Sequence, residues 1–505
     1  MADAYARASG EVGVALVTSG PGATNAVTGI ATAHSDSIPI VVISGQVASS
    51  TIGTDAFQEV DMVGITRHCV KHNFLVKQVD GLANTIKKAF YLARTGRPGP
   101  VIIDVAKDVT QALHKFCYPQ EQPFIRSYQP VIHAHKGQIK KAVQLFALAK
   151  RPVVFFGGGI VLANAEEELR RWIQLTGVPC ISSLMGLGAY SASHPQFLGM
   201  VGMHGTYEAN MAMQQADMVL ALGVRFDDRV ISVPEKYLAT AKKIIHIDID
   251  PSSIAKRVPV NVPIVGDIKL ALQAMTYQWE EKRLILDHKG LQCWWECIEQ
   301  WRSFKSLNYS DDEQIIKPQY VIKSLAQLTQ NRAYIASDVG QHQMFVAQYY
   351  PFEKSRQWFN SGGLGTMGVG LPYAMGAQLA LPQETIFCVT GDGSIQMNIQ
   401  ELSTCYQFKL PIKIINLNNQ YLGMVRQWQE FYYEGRYSHT YMDSLPDFVK
   451  LAQAYGHVGM RIEKKADVLP ALKEAIALQD QLVFMDFITS CLLYTSPSPR
   501  DKRQS

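Results

Sequence analysis

Two apolar runs, and the polar turns that close them, constrain this chain more than anything else in it. Thr385 to Thr390 is apolar enough for a strand buried on both faces, and it stops at Gly391-Asp392-Gly393-Ser394. Ile412 to Leu417 is a second such run and stops at Asn418-Asn419. Between them Ile395, Ile399, Leu402 and Tyr406 recur at helical spacing, which predicts a helix from about Ser394. Strand, helix and strand in that order make a parallel pair. Both polar turns then fall at carboxyl strand ends, the edge where doubly wound sheets hold their ligands. The glycines allow a sharp turn and a close approach to a ligand, and helix N-terminal amides attract phosphate oxygens. Asp392 and the side-chain carbonyl of Asn419 are hard oxygen ligands of the kind Mg²⁺ takes. On its own Gly391-Asp392-Gly393 reads first as an ordinary strand-to-helix turn. The double asparagine at the tip of the next strand turns the reading toward a diphosphate held by a divalent cation.

At 505 residues there is room for about three domains. A chain 47% hydrophobic and 18% charged is that of a soluble globular protein with sizeable cores. The net charge of +4 is too mild to argue for nucleic acid, and no basic stripe is interleaved with aromatics. No run reaches the roughly 18 apolar residues of a membrane helix. Met1-Ala2-Asp3-Ala4-Tyr5-Ala6-Arg7 lacks the apolar core of a secretory signal. Of the eight cysteines, Cys180, Cys388 and Cys405 sit in apolar runs. Cys293 and Cys297 stand at helical i,i+4 spacing with no second cysteine pair nearby. Reduced thiols in a cytoplasmic protein are therefore expected rather than a zinc site.

The expected fold is α/β, with three doubly wound parallel-sheet domains. Residues 1–111 form the first, with strands at Val12–Thr18, Pro39–Ser44 and Pro100–Val105, helical patterns at Ala23–Ala33 and Leu82–Thr95, and a glycine-rich loop at Thr18-Ser19-Gly20-Pro21-Gly22. Residues 112–136, aperiodic and proline-bearing, read as a linker. The second domain, 137–268, has strands at Val153–Phe156, Val178–Ser182, Met218–Leu222, Ile244–Ile249 and Val262–Val265, and Asn164 with Glu167 suggests a capping box for the helix through Leu175. Its strands close on Gly157-Gly158-Gly159, on Gly223 to Arg229, on Asp248-Ile249-Asp250-Pro251 and on Gly266-Asp267. Such an edge suits an extended dinucleotide, although it is not a GxGxxG fingerprint, and spacing alone leaves open a domain that binds nothing. A Trp-rich helical connector, 269–319, leads to the third domain, 320–489, which holds the opening motif. The segment 490–505 is a Ser/Pro/Arg tail without period, expected to be foreign to the fold.

The full spacing of Gly391-Asp392-Gly393 to Asn418-Asn419 resembles the thiamine diphosphate signature, and the three-domain layout resembles the thiamine-diphosphate decarboxylases and carboligases. Arg225-Phe226-Asp227-Asp228-Arg229, Gly340-Gln341-His342-Gln343-Met344, Ser361 to Gly368 and Gly423-Met424-Val425-Arg426-Gln427-Trp428 together resemble the catalytic large subunit of acetolactate synthase, in its bacterial biosynthetic form, over about Met1 to Thr489. The resemblance implies pyrimidine-binding, central FAD-binding and diphosphate-binding domains in that order. It also implies the family's reaction: decarboxylation of pyruvate on thiamine diphosphate, then condensation of the resulting carbanion with pyruvate or 2-ketobutyrate, the first common step toward valine, leucine and isoleucine.

The same resemblance assigns residues. Asp392, Asn419 and the Tyr421 carbonyl would hold Mg²⁺. Gln341, His342, Gly365, Met367, Gly391, Gly393, Ser394, Leu422, Gly423 and Met424 would line thiamine diphosphate, with Met367 the apolar wedge that folds it. Arg225 would meet a 2-keto acid carboxylate, unless it is a surface ion pair with Asp227 or Asp228. Trp428 would favour the extra methyl of 2-ketobutyrate, and Met424 would stand beside the reacting groups. Phe57, Gln58 and Lys107 would belong to the substrate channel. FAD, without a redox role, would lie on Arg97, Gly157, Gly158, Gly159, Leu184, Met203, His204, Gly223, Arg225, Asp248, Ile249, Asp267 and Gln343. A homodimer or larger assembly with the site at its interface, and a small regulatory subunit, are implied as partners.

Two departures stand out. The family's activating glutamate would lie upstream of Met1, where Met1–Ala8 reads as the back of a helix whose front is absent; the family's C-terminal lid is replaced by the tail. An impaired polypeptide is therefore expected from the sequence as written, and a targeting peptide upstream stays open. Other readings remain: glyoxylate carboligase, sulfoacetaldehyde acetyltransferase, pyruvate oxidase, the FAD-free catabolic acetolactate synthase, or a non-catalytic cofactor-binding subunit.

Overall fold

The computed structural model describes residues 1–240 and 242–491; the expected foreign tail lies, from 492 to 505, outside the described residues. Helices separate most of the strands, and the strands form three sheets in which neighbours run parallel. The chain divides into two compact units. One comprises Met1–Pro130, Ser361–Thr366 and Pro372–Pro382; the other comprises Val131–Asn360, Met367–Leu371 and the chain from Gln383 onward.

The first unit is built on β1 (Gly13–Val17), β2 (Ile40–Gln46), β3 (His72–Val76) and β4 (Val101–Ala106), in the order β1-β2-β4-β3. Its most buried strand, β4, is apolar but for Asp104, which accepts from Ser44 Oγ at 2.7 Å and Gln46 Nε2 at 3.0 Å. The distant segment Ser361–Thr366 belongs here for a polar reason. The Asp36 carboxylate accepts from the backbone N–H groups of Gly362 and Gly363 (3.1 and 2.7 Å) and from Arg7 Nη2 at 2.8 Å.

The second unit contains two sheets. One is formed by β5 (Pro152–Phe156), β6 (Cys180–Ser182), β7 (Phe197–Met200), β8 (Met218–Leu222), β9 (Lys243–Asp248) and β10 (Val262–Val265), in the order β10-β9-β8-β5-β6-β7. The other is formed by β11 (Tyr334–Ser337), β12 (Trp358–Phe359), β13 (Ile386–Gly391), β14 (Lys413–Asn418), β15 (Val458–Ile462) and β16 (Val483–Ile488), in the order β12-β11-β13-β14-β16-β15. The central strands β5, β8, β13 and β14 are buried at every position. This is why they read as mostly apolar runs rather than as alternating ones: both faces are covered. Strand order reverses between β5 and β8 in one sheet and between β11 and β13 in the other. Such a reversal opens a crevice at the carboxyl edge, because successive crossovers leave to opposite sides.

Several local expectations are corrected. The capping box does not form: the helix Glu166–Thr176 starts after Ala165 without a side-chain cap. Asn164 has φ of 47°, outside the extended region an N-cap needs, and its side-chain oxygen accepts from Arg356 Nη2 at 2.9 Å instead. The helix expected from Ser394 begins at Asp392, passes into a 3₁₀ turn at Gln396–Asn398 and resumes at Glu401–Gln407. Ile395 and Leu402 are buried, but Tyr406 is exposed. Strands β3, β7, β12 and β15 were not foreseen.

Candidate active site

The crevice between β11 and β13 is where the polar turns gather. After β11 the chain turns through Asp338-Val339-Gly340 into the helix Gln341–Tyr349. After β13 it turns at Gly391-Asp392, and after β14 at Asn418-Asn419, followed by the helix Gly423–Tyr432. These turns wall a cleft of about 560 Å³ up to its open mouth, lined by Gln341, His342, Met367, Gly391, Asp392, Gly393, Ser394, Asn419, Tyr421, Leu422, Gly423 and Met424, with Val339, Gly340 and other neighbours.

Asp392 is 2% exposed. Its carboxylate accepts from Gly393 N at 2.9 Å and from Gln420 N at 2.6 Å, and no ion pair to it forms among the described residues. Burial lifts its carboxyl from the usual 3.8 to about 6; the backbone donors oppose the shift, and the negative Asp486 adds to it. Asn419 accepts the Tyr421 N–H on its side-chain oxygen at 3.0 Å, which fixes the Tyr421 peptide and leaves that oxygen a second lone pair. Its amide group faces Gln341 Oε1 at 3.4 Å.

His342 is buried, and burial lowers it to about 3, so the ring is neutral. Its Nε2 has no hydrogen-bond partner among the described residues, an expensive omission unless a ligand supplies one. Side chains leave no slack around the glycines. A Cβ on Gly391 would stand 2.9 Å from His342 Nδ1, one on Gly393 2.9 Å from Leu422 Cδ2, and one on Gly423 2.2 Å from Gln341 Oε1. A buried carboxylate without a cation, a neighbouring amide oxygen and an unpartnered imidazole nitrogen at one cleft are a donor set that fits a metal-bound diphosphate.

Comparison with known proteins agrees on the class. Three family models match: "Thiamine pyrophosphate enzyme, N-terminal TPP binding domain" over residues 1–65, the central domain over 139–275 and the C-terminal TPP binding domain over 338–487. The chain is 56% identical to the acetolactate synthase isozyme 3 large subunit of Escherichia coli, over 96% of this chain and 85% of that protein. It is 54% identical to the acetolactate synthase large subunit of Haemophilus influenzae over the same shares, and 45% identical to the acetolactate synthase of Mycobacterium leprae over 96% of this chain and 78% of that one. The chain belongs to the acetolactate synthase large-subunit family.

The remaining residues singled out from the acetolactate synthase resemblance fall elsewhere. Trp428 lies one helical turn beyond Met424, with its ring 5.0 Å from that of Tyr432. Gly365, with φ of 71°, belongs to the first unit, as do Phe57, Gln58, Arg97 and Lys107. Phe57 is 89% exposed. Gln58 has φ of 61° and packs its backbone against Gly20, where a Cβ would come within 2.9 Å. Arg97 Nε donates to Ser37 Oγ at 2.8 Å, and Lys107 opens the helix Lys107–Gln111.

In the second unit Gly157 to Gly159, Gly223, Asp248, Ile249 and Asp267 lie along the carboxyl edge of β5, β8, β9 and β10, at the other strand reversal. Gly159 N donates to Gly223 O at 3.2 Å, and a Cβ on Gly159 would come 2.6 Å from Gly223 Cα, so only glycines permit this approach. Asp267 caps the helix Ile268–Glu281 through Leu270 N at 3.0 Å, and Asp248 accepts from Asp250 N at 2.9 Å. Leu184 opens a 3₁₀ turn after β6, Met203 and His204 follow β7, and Gln343 Nε2 donates to Asn360 Oδ1 at 3.2 Å.

The arginine stretch holds what sequence reasoning missed. Phe226 is buried with φ of 51°, which separates the two arginines. Arg225 is exposed. Arg229, exposed as well, has its guanidinium 5.9 Å from the Trp428 ring and its Nε 3.7 Å from Asp228 Oδ2. Its carbonyl accepts from Met203 N at 3.0 Å. Burial, with the Arg229 charge adding to it, lowers His204 to about 4.

Proposed function

We propose that this protein is a thiamine-diphosphate- and Mg²⁺-dependent acetolactate synthase large subunit. It takes two molecules of pyruvate to 2-acetolactate, or pyruvate and 2-ketobutyrate to 2-aceto-2-hydroxybutyrate, in branched-chain amino acid biosynthesis. The observation that carries this reading is the cleft at the β11/β13 reversal, where the buried Asp392 carboxylate, which forms no ion pair among the described residues, meets the Asn419 side-chain oxygen and a His342 Nε2 that has no hydrogen-bond partner among them.

Thiamine diphosphate, when bound, supplies the electron sink that decarboxylation of a 2-keto acid needs. The chain's own part is placement. Asp392, the Asn419 side-chain oxygen and the Tyr421 carbonyl hold Mg²⁺. The Gly393 and Ser394 amides hold the diphosphate, and His342, which burial keeps neutral, lines the coenzyme beside them. Gln341, Leu422, Gly423 and Met424 line the coenzyme, and Met367 is the apolar wedge against it. Arg229 stands beside Trp428 and takes the acceptor's carboxylate, while the indole face takes its alkyl group.

The carboxyl edge of β5, β8, β9 and β10 is the FAD site of this reading, and the role of FAD there is structural. Homodimerisation, a small regulatory subunit and a cytoplasmic location complete it. The described residues contain no helix long and apolar enough to cross a membrane. The test is formation of acetolactate from pyruvate with thiamine diphosphate, Mg²⁺ and FAD, together with calorimetric titration of the coenzyme. Absence of Mg²⁺-dependent coenzyme uptake refutes the assignment, and a protein that takes up the coenzyme but carries no extractable flavin refutes the FAD site.

A further inference from the structure

Asp338 is 1% exposed and does not line the cleft, yet it touches three of the segments that do. Its Oδ1 accepts from Val339 N and from Gly368 N, both at 2.8 Å. Its Oδ2 accepts from Gly370 N at 3.1 Å and, at 3.5 Å, from Thr390 Oγ1, one residue before Gly391. The donors are thus the β11 turn, the turn that follows Met367, and the tip of β13.

Asn398 grips the turn after Met367 from the other side, its Nδ2 donating to Gly368 O at 2.7 Å. Gly368 has φ of 84°, and a Cβ there would come 2.8 Å from Met397 Cβ. Gly368 is therefore held at both of its backbone polar groups, its N–H by the Asp338 carboxylate and its C=O by the Asn398 amide. A buried carboxylate facing only neutral donors is costly to keep, and burial raises Asp338 to about 6. A packed apolar residue would be cheaper if the position had no task beyond filling space.

We infer that Asp338 is a positioning residue for coenzyme binding: by fixing Gly368 and Gly370 it aims the Met367 side chain into the cleft and so sets the fit of the coenzyme's ring system, not of its diphosphate. This rests on the reading of the cleft as a thiamine diphosphate site. It assigns Asp338 and Asn398 a function without direct contact with the coenzyme.

The experiment titrates the full chain, in Mg²⁺, with thiamine diphosphate and separately with inorganic diphosphate. Asp338→Asn should weaken thiamine diphosphate about tenfold and leave inorganic diphosphate unchanged. Met367→Ala should do the same, and the double variant should bind no more weakly than the poorer single one. Should Asp338→Asn fail to fold, Asn398→Ala, which removes the 2.7 Å bond to Gly368 O and an exposed 3.4 Å one from Gln400 Nε2, should show the same selectivity and the same non-additivity with Met367→Ala. Equal loss of both ligands, multiplicative losses in the double variant, or wild-type affinity in the variants overturns the inference while leaving the site intact. A wild-type protein that binds neither ligand overturns the site itself.

Discussion

Replacing Asp392 with asparagine should abolish Mg²⁺-dependent uptake of thiamine diphosphate while hardly changing the stability of the ligand-free fold near neutral pH. Burial moves the Asp392 carboxyl from 3.8 to about 6, a shift worth roughly 3 kcal/mol. Because the folded value is the higher one, the neutral carboxyl's contribution is complete below 3.8 and is lost as the pH rises through about 6. Above that, the ligand-free protein carries a buried carboxylate that Mg²⁺ relieves. Asparagine removes the charge and so regains roughly 3 kcal/mol. It can offer only one acceptor oxygen to the Gly393 and Gln420 N–H groups, and turning an amide on the other loses about 1–3 kcal/mol. The two effects nearly cancel near neutral pH, whereas in mild acid the variant is the less stable protein.

Binding separates the two more sharply. With ligand at about a hundred times Kd, wild type should gain about 2.7 kcal/mol of stability and Asp392→Asn none. Wild-type affinity should fall about tenfold for each pH unit below about 6, since the ligand oxygen must first lose its proton. Isothermal titration across this range, with and without chelator and corrected for protonation of the free coenzyme, measures both. A variant that binds within about threefold of wild type, or a wild-type affinity that is flat across the range, would refute the reasoning.

Gly423→Ala should weaken thiamine diphosphate at least about tenfold without lowering the melting temperature, because its Cβ, 2.2 Å from Gln341 Oε1, displaces a movable side chain rather than backbone; titration and a melt check the two halves. Arg229→Gln should raise the KM for pyruvate roughly tenfold or more and Arg225→Gln much less, and steady-state acetolactate formation ranks them. Trp172→Ala should destabilise the second unit by about 3–5 kcal/mol, since its ring is fully buried with Phe146 and Trp279 centroids at 5.5 and 5.4 Å; denaturant midpoints give the difference.

What the sequence made legible was local. Buried parallel strands announce themselves as apolar runs, and the turns that end them carry glycine, aspartate and asparagine, so β13, β14 and the cleft-lining turns could be read in order. The edge strands β1 and β10 were legible as apolar runs, but β3 and β15 were not because their sequences are mixed: β3 is His72-Asn73-Phe74-Leu75-Val76, and β15 contains Gly459 and Arg461. Arg225 and Arg229 are chemically identical in the text, and the approach of Arg229 to Trp428 is visible only in the fold. Membership of Ser361–Thr366 in the first unit depends on Asp36, hundreds of residues away, whose role no local pattern announces.

Strand pairing also joins polar residues that look like isolated interruptions of apolar runs. Thr390, Asn416, Asp486 and Arg461 stand at matched register on β13, β14, β16 and β15. Asn416 Nδ2 donates to Asp486 Oδ1 at 2.9 Å, Arg461 Nε stands 3.6 Å from Asp486 Oδ2, and Thr390 reaches Asp338 at the end of β11. Thr390, Asn416 and Asp486 are buried and would be costly alone in an apolar interior, and the sheet brings them neighbours to bond, while exposed Arg461 closes the row at its edge. The row crosses the sheet just below the turns that line the cleft, and its central carboxylate, Asp486, is the charge that helps raise Asp392. A polar residue in the last third of an otherwise apolar strand is therefore more than a weakened strand signal. Where two or more such strands pair in parallel, it marks the side of the sheet on which the chemistry stands.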